Sequence, residues 1–129
     1  MYLLDTSICI EAIRGGASVR SRIVSATRDC AVSVMTVAEL RWGATLSRQP
    51  AAERDRVDAL LRPWPVFDFS ARYLEPFLQI RSDLRKLGTM ISDMDVMIAA
   101  TALAEGRIVV TVDCDFRRIP GLTVEDWTT

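Results

Sequence analysis

Short apolar runs alternate along the chain with longer segments of helical periodicity. The runs at residues 1–4, 30–34 and 108–112 predict three buried strands, because continuous apolar residues suit strands that are covered on both faces. The stretch at residues 65–69 predicts an edge strand, since its prolines are tolerated at edges better than in the centre of a sheet. Residues 122–124 predict a final short strand.

The segments between these runs repeat their apolar positions at the spacing of a helix. We predict helices over residues 7–13, 19–27, 36–46, 51–61, 71–87 and 93–104. Pro63 ends the fourth helix, and Gly88 and Gly106 close the last two. Pro76 lies inside the fifth segment, so the regular helix is expected to begin near Glu75 or to kink there.

Strands that alternate with helices are typical of parallel pairing. We therefore predict an α/β fold with a doubly wound, mainly parallel sheet flanked by helices. The 129 residues contain no repeat and no long linker, so one domain is expected to span residues 1–129. Ligands of such sheets bind in the crevice beyond the carboxyl ends of the strands.

Acidic residues stand where the predicted strands end and helices begin. Asp5 follows the first strand directly, Glu39 lies in the first turn of the helix after the second strand, and Asp95 is at the start of the last helix. Asp113 and Asp115 follow the strand at residues 108–112. A parallel sheet brings these positions to one edge, where repulsion raises the carboxyl pKa values unless a cation balances the charge. Oxygen donors of this kind favour Mg²⁺ or Mn²⁺.

Each of these acids also has a purely structural interpretation. Thr36 and Glu39 have the spacing of a capping box, and Asp5 suits the N-cap of the next helix. Asp93 and Asp95 are favourable charges near a helix start, and the acids of the last loop suit a turn.

Composition excludes several classes of chemistry. The chain has no histidine, so catalytic triads, Cys-His dyads and histidine-bound zinc are ruled out. Its three cysteines are widely spaced with no C-x-x-C pair, which makes a zinc or redox motif unexpected and indicates a reducing compartment. No signal peptide or span of about 18 apolar residues is found, so we expect a cytoplasmic protein with no membrane partner.

Six stretches in four ordered motifs resemble PIN domains of the VapC toxin type, and they run nearly from end to end. These motifs are MYLLDTSICI at 1–10, SVMTVAEL at 33–40 followed by Gly43, ISDMDVMIAA at 91–100, and a carboxyl-terminal block of VTVDCDF at 110–116, IPGL at 119–122 and VEDW at 124–127. Transferred residue by residue, the resemblance implies an acidic triad of Asp5, Glu39 and Asp95, with Asp113 in a fourth position that the family fills with Asp or Asn.

The chain differs from the family's motifs at two places and has one acid that they do not explain. Ser7 stands where many relatives have Asn, which keeps a hydrogen-bonding side chain. The loop after Thr111 is one residue shorter than in some relatives, which leaves the choice between Asp113 and Asp115 open. Asp93 has no clear family role. The resemblance implies a toxin ribonuclease, usually dimeric and inhibited by a VapB-like antitoxin, that cuts structured RNA, often transfer RNA.

The corresponding mechanism is attack of water on a phosphodiester. In this hypothesis Asp5, Asp95 and Asp113 hold one or two Mg²⁺ or Mn²⁺ ions, with Glu39 binding directly or through water. The hydroxyls of Thr6, Ser7 and Thr111 orient the carboxylates or a water, although capping and turn chemistry explain them equally well. Arginines are expected to contact the RNA backbone, but the sequence does not select which.

Two other functions remain as alternatives. An aspartyl nucleophile, as in haloacid-dehalogenase-like phosphatases or receiver domains, also follows a strand. However, a phosphatase of this type would have a second Asp where this chain has Ser7. A receiver domain would have a lysine after a late strand, whereas Lys86 lies inside a predicted helix. The other alternative is a catalytically inactive module that binds protein or RNA through a stripe of apolar side chains, for which ordinary core packing is the simpler explanation. Those side chains are Leu74, Phe77, Leu84 and Leu87, with Trp42 and Trp64.

Overall fold

One parallel sheet of five short strands organises the structure, a computed structural model that describes residues 1–129. The strands are β1 (Tyr2–Leu4), β2 (Cys30–Ser33), β3 (Val66–Phe67), β4 (Ile108–Val110) and β5 (Val124–Glu125). Their order is β3-β2-β1-β4-β5, and every neighbouring pair is parallel. The predicted α/β class is confirmed, and β3 lies at an edge as its prolines indicated.

Six α-helices connect and cover the strands. They are α1 (Thr6–Ile13), α2 (Ala17–Ala26), α3 (Val34–Thr45), α4 (Pro50–Leu61), α5 (Leu74–Leu87) and α6 (Asp93–Glu105). Three 3₁₀ turns add Thr27–Asp29, Ala71–Tyr73 and Cys114–Arg118. None of the helices combines the length and the apolar character that crossing a membrane requires.

The sheet separates two apolar cores, which explains why β1 and β4 are apolar at every position. Leu3 and Val109 belong to the core that α5 and α6 cover, whereas Leu4 and Val110 belong to the core under α1 to α4. Successive side chains of a strand point to opposite faces. A strand between two helical layers must therefore supply an apolar residue to each of them.

The start of α3 differs from the sequence prediction, and with it the environment of Glu39. The helix begins at Val34 rather than Thr36, because the Ser33 side chain caps it by accepting the Met35 N–H at 3.1 Å. Thr36 is then an interior helical residue and Glu39 lies in the second turn. The predicted capping box between these two residues is therefore wrong, and so is the placement of Glu39 in the first turn.

The other boundaries agree with the pattern to within three residues. Strand β4 ends at Val110 and does not extend to residue 112. Helix α5 begins at Leu74, so Pro76 lies in its first turn, where the helix needs no backbone N–H from it. Gly88 closes α5 with φ 69° in the left-handed region, which glycine adopts without a steric cost.

The apolar set that the sequence assigned to core packing is divided between core and surface. Leu84 and Trp64 are buried. Leu74, Leu87 and Trp42, in contrast, are 47%, 62% and 63% exposed. Core packing therefore explains only part of that set, because helical spacing alone does not reveal how wide the buried face of a helix is.

Candidate active site

The carboxyl ends of the central strands bring the predicted acids to one edge of the sheet. Asp5 follows β1 directly, and its backbone N–H donates to the Val110 carbonyl of β4 at 2.9 Å. Helix α3 starts at this edge after β2, and α6 starts there because its far end leads back to the beginning of β4. Residues from four separate parts of the chain therefore meet at this edge.

Asp5 is the most constrained of these acids and is only 4% exposed. Its Oδ2 accepts the Thr111 hydroxyl at 2.8 Å, the Ser7 hydroxyl at 2.9 Å and, more weakly, the Ser7 N–H at 3.4 Å. The N-cap interpretation of Asp5 is therefore confirmed, since the Ser7 N–H lies in the first turn of α1. All these donors converge on one oxygen, so Oδ1 accepts no hydrogen bond from the protein.

A relay of hydroxyl groups joins the last loop to Asp5. The Ser7 and Thr111 hydroxyls lie 3.0 Å apart, and Ser7 Oγ also accepts the Val112 N–H at 3.1 Å. Thr111 Oγ1 accepts the Asp113 N–H at 3.0 Å. The predicted supporting residues Ser7 and Thr111 thus set the position of Asp113 relative to Asp5.

Glu39 is held by the helix that follows Asp5. The Thr6 hydroxyl donates to Glu39 Oε1 at 2.7 Å and lies 3.4 Å from the hydroxyl of the buried Thr36. Half of this carboxylate is therefore anchored by α1, while Oε2 accepts no protein hydrogen bond. Thr36 is a site contact that the sequence missed, because its spacing to Glu39 suggested a helix cap.

Electrostatics show that the acids act on one another. Burial and the charges of Asp5, Asp113 and Glu39 raise the pKa of Asp95 to about 6, against the opposing effect of the Ser92 hydroxyl. Ser92 caps α6 by accepting the Asp95 N–H at 3.2 Å. Four carboxylates from distant segments thus share one region of concentrated negative charge, and no arginine or lysine donates to Asp5, Glu39, Asp95 or Asp113.

Two further acids have partners of their own. Asp93 forms an exposed ion pair with Arg81 of α5, and Asp115 pairs with Arg118 at 3.2 Å. Asp113 Oδ1 accepts the Asp115 N–H at 2.9 Å, and the side-chain donor atoms of Asp113, Cys114 and Asp115 lie within 4.8 Å of one another. Asp113 is the acid of this loop whose charge acts on Asp95, which favours it over the neutralised Asp115 as the fourth member.

The donor set fits a hard divalent cation. It consists of carboxylate and hydroxyl oxygens, and the mutual repulsion at Asp95 is the destabilisation that a cation would relieve. The unengaged oxygens of Asp5 and Glu39 provide anionic ligand atoms without breaking the hydrogen bonds that orient these side chains. Residues of this kind can hold a metal ion and, with it, act on a phosphodiester.

Two of the three cysteines are too deeply buried to take part in such chemistry. All three are unpaired, as predicted, and Cys9 and Cys30 are buried. Burial raises the pKa of the Cys9 thiol far above its usual range and the pKa of Cys30 to about 11. Neither thiol is therefore an available nucleophile near neutral pH.

A parallel α/β sheet with a carboxylate cluster at its carboxyl edge is an arrangement that can hold a divalent cation. The family profile for the PIN domain matches residues 2–122. The chain is also similar over 98% of its length to ribonuclease VapC2 of Rickettsia felis, at 30% identity and 98% coverage of that protein. The chain therefore belongs to the PIN-domain family and, within it, to the VapC ribonucleases.

Two further relatives support this assignment. The tRNA(fMet)-specific endonuclease VapC of Shigella flexneri is 34% identical, with 98% of each chain covered. The structure also resembles that of DNA-bound VapBC from Salmonella typhimurium, with a TM-score of 0.92 and 34% identity, covering 98% of this chain and 97% of that one. Membership in this family argues against the aspartyl-phosphatase and receiver interpretations.

Proposed function

We propose that this protein is the toxin of a toxin–antitoxin pair and acts as a metal-dependent endoribonuclease on transfer RNA. The observation that carries the proposal is the meeting of four carboxylates at one edge of the sheet, where burial of Asp95 and the charges of the other three raise its pKa to about 6. Such a concentration of like charge destabilises the folded protein unless it serves to bind a cation. The names of the similar proteins supply the substrate class.

In this proposal Asp5, Asp95 and Asp113 hold Mg²⁺ or Mn²⁺, and Glu39 binds directly or through a water. When bound, the ion lowers the pKa of a water and neutralises charge on the phosphoryl oxygens. Thr111 and Ser7 fix Asp5 Oδ2, so that Oδ1 is the free ligand atom. Thr6 fixes Glu39 Oε1 in the same way. Attack by water in line with the leaving oxygen produces a 5′-phosphate and a 3′-hydroxyl.

The partners follow from the similar proteins. The Shigella relative is named for tRNA(fMet), and we propose the initiator transfer RNA as the substrate of this chain as well. The Salmonella structure is that of a DNA-bound VapBC complex, and we propose a VapB-like antitoxin as inhibitor, a homodimer as the active assembly and the cytoplasm as the place of action.

The decisive experiment compares Asp5→Asn with the wild-type protein on purified initiator transfer RNA in Mn²⁺ or Mg²⁺. We expect the wild type to cut at few sites, to stop in EDTA and to leave 5′-phosphate ends. Asp5→Asn is expected to lower the rate more than about 100-fold, beyond the 10–100-fold that loss of an outer partner of a metal site costs. Asp55→Asn, at an exposed position of α4 with no ion pair, removes the same charge and is the matched control.

Two outcomes would contradict the proposal in different ways. Products ending in a 2′,3′-cyclic phosphate would reject water as the nucleophile. A wild-type protein that binds the RNA but does not cut it at millimolar Mn²⁺, and whose binding Asp5→Asn leaves unchanged, would identify the inactive binding module instead.

A further inference from the structure

A cleft of about 1010 Å³ opens beside the carboxylate cluster, between the end of α5 and the start of α6. It lies at the carboxyl edge of the sheet, because α6 runs from this edge back to the start of β4 and α5 ends where α6 begins. Arg81 and Arg85 line the side formed by α5, and Ser92 and Asp93 line the side formed by the start of α6. One of its lining residues, Asp93, stands two positions before Asp95 in the same helix.

The charged side chains around this cleft are mainly cationic. Arg85 is exposed and has no carboxylate partner. Arg81 pairs with Asp93, the one acid among the lining residues, and both side chains are more than half exposed. Arg118 donates to the Thr89 hydroxyl at 3.3 Å and pairs with Asp115 at 3.2 Å. Arg118 thus joins the last loop of the acidic site to the wall of the cleft.

An RNA substrate requires such a cationic region next to this site. The four carboxylates together with one divalent ion keep a formal charge of about −2, and each phosphate of the RNA adds a further negative charge. Arginine is suited to offset that repulsion, because its planar fork binds phosphate oxygens with two donors. The protein as a whole cannot do so, since its formal net charge is −1.

We propose that this cleft holds the RNA backbone on one side of the scissile phosphate, with Arg81 and Arg85 contacting phosphates and Arg118 at the junction with the carboxylate cluster. The proposal rests on the nuclease function proposed above and adds the path that the substrate takes away from the site. The contacts are made to the backbone, so they increase affinity without selecting the sequence.

Binding is tested with fluorescein-labelled initiator transfer RNA, by anisotropy in Ca²⁺-free and Mg²⁺-free buffer with EDTA. The double variant Arg81→Gln/Arg85→Gln is compared with Arg28→Gln/Arg62→Gln. Arg28 precedes β2 and Arg62 precedes β3, so the control removes the same charge at the opposite edge of the sheet.

The two double variants should separate clearly. Each lost phosphate contact reduces the slope of log K against log salt by about 1, so the cleft variant should lose about 2 in slope and bind about tenfold more weakly. The control should keep the wild-type slope. Equal slopes for the two double variants, in proteins with equal melting temperatures, would overturn the proposal.

Cleavage kinetics provide a second, independent readout. The cleft variant is expected to raise KM about tenfold and to keep kcat, because backbone contacts away from the reacting phosphate bind ground and transition states alike. A fall in kcat with unchanged KM would instead mean that the arginines act by positioning α6. A wild-type protein that cuts no RNA would reject the nuclease function itself. If the wild type cuts RNA and the cleft variant has the same KM, only the proposed role of the cleft is rejected.

Discussion

The two edges of the sheet are built on opposite electrostatic principles. At the amino edge, Arg107 donates to the backbone carbonyls of Tyr2 at 3.0 Å and Asp29 at 3.3 Å, and its guanidinium lies 5.0 Å from the centre of the Phe67 ring. The hydrogen bonds of this cation are therefore made to backbone carbonyls near the starts of β1 and β2. At the carboxyl edge, like charges meet, and burial together with that repulsion raises the pKa of Asp95 to about 6.

The carboxyl edge therefore lowers the stability of the folded protein, whereas the amino edge does not. Both edges close the same two apolar cores, so packing does not distinguish them. Hydroxyl donors from Thr6, Ser7 and Thr111 anchor one oxygen each of Asp5 and Glu39, which limits the cost of the cluster without neutralising it. An edge that keeps unbalanced charge against its own stability is the edge expected to carry function.

The largest expected effect separates stability from activity at one residue. Asp95→Asn removes a charge that Asp5, Asp113 and Glu39 repel, so the metal-free variant should melt at a higher temperature than the metal-free wild type at pH 7. The same change should lower RNA cleavage more than about 100-fold, since it removes a proposed metal ligand.

Thermal melts with and without Mn²⁺ check both parts of this prediction. Metal should raise the melting temperature of the wild type, because binding to the folded state alone adds to its unfolding free energy. The shift should shrink in Asp95→Asn. A variant that is less stable than the wild type without metal would show that repulsion does not dominate this edge.

The next largest effect concerns the hydroxyl relay. Thr111→Val keeps the shape of a buried side chain but removes the donor to Asp5 Oδ2 and the acceptor for the Asp113 N–H. We expect cleavage to fall about 10- to 100-fold, as for other residues that orient metal ligands. Thr111→Ser keeps the hydroxyl and should retain most of the activity. Equal losses in the two variants would attribute the effect to packing.

A smaller effect is expected at the opposite edge, and on stability alone. Arg107→Met keeps the aliphatic stem but leaves the Tyr2 and Asp29 carbonyls without this donor. The unfolding free energy should fall by about 1.5–3 kcal/mol, the usual contribution of a hydrogen bond to a charged group. Urea unfolding measures it, with Arg28→Met as the charge-matched control. A loss of kcat in folded Arg107→Met would contradict the division between the two edges.

The smallest effect is a pH dependence of the metal-free protein. The pKa of Asp95 is about 6 in the folded state against an ordinary 3.8, so between these values the folded protein keeps a proton that the unfolded chain has released. The resulting stability is present below about pH 4 and is lost as the pH rises through about 6. Solvent screening at this half-buried carboxyl reduces the size of the loss.

Urea unfolding in EDTA between pH 4 and 7 tests this sign. The difference in unfolding free energy between the wild type and Asp95→Asn should move against the wild type as the pH rises. Comparing the two proteins cancels the titration of the carboxyls that do not interact with Asp95. A difference that stays constant over this range would show that Asp95 titrates normally in the folded state.

The pattern of apolar residues was sufficient to predict the strands and helices, because each of them depends on residues that are close together in the sequence. Leu3 and Leu4 face different cores, and a strand that is buried on both sides leaves a continuous apolar run that is visible in the sequence. The wrong start predicted for α3, in contrast, has a long-range cause. Ser33 and Thr36 both suit an N-cap, and the pairing of β2 with β1 and β3 decided that the strand ends at Ser33.

The order of the strands and helices, the carboxylates at the strand exits and the oxygen character of the ligand atoms can all be read from the amino-acid sequence. The hydrogen bond of Glu39 to Thr6, the ion pair of Asp93 with Arg81 and the action of Asp113 rather than Asp115 on Asp95 follow from the packed structure. The reason is physical. Secondary structure depends on neighbours within a few positions along the chain. The contacts at this edge instead join residues up to 33 positions apart, and the choice between Asp113 and Asp115 is made within one loop. Both depend on how the helices pack at the edge of the sheet.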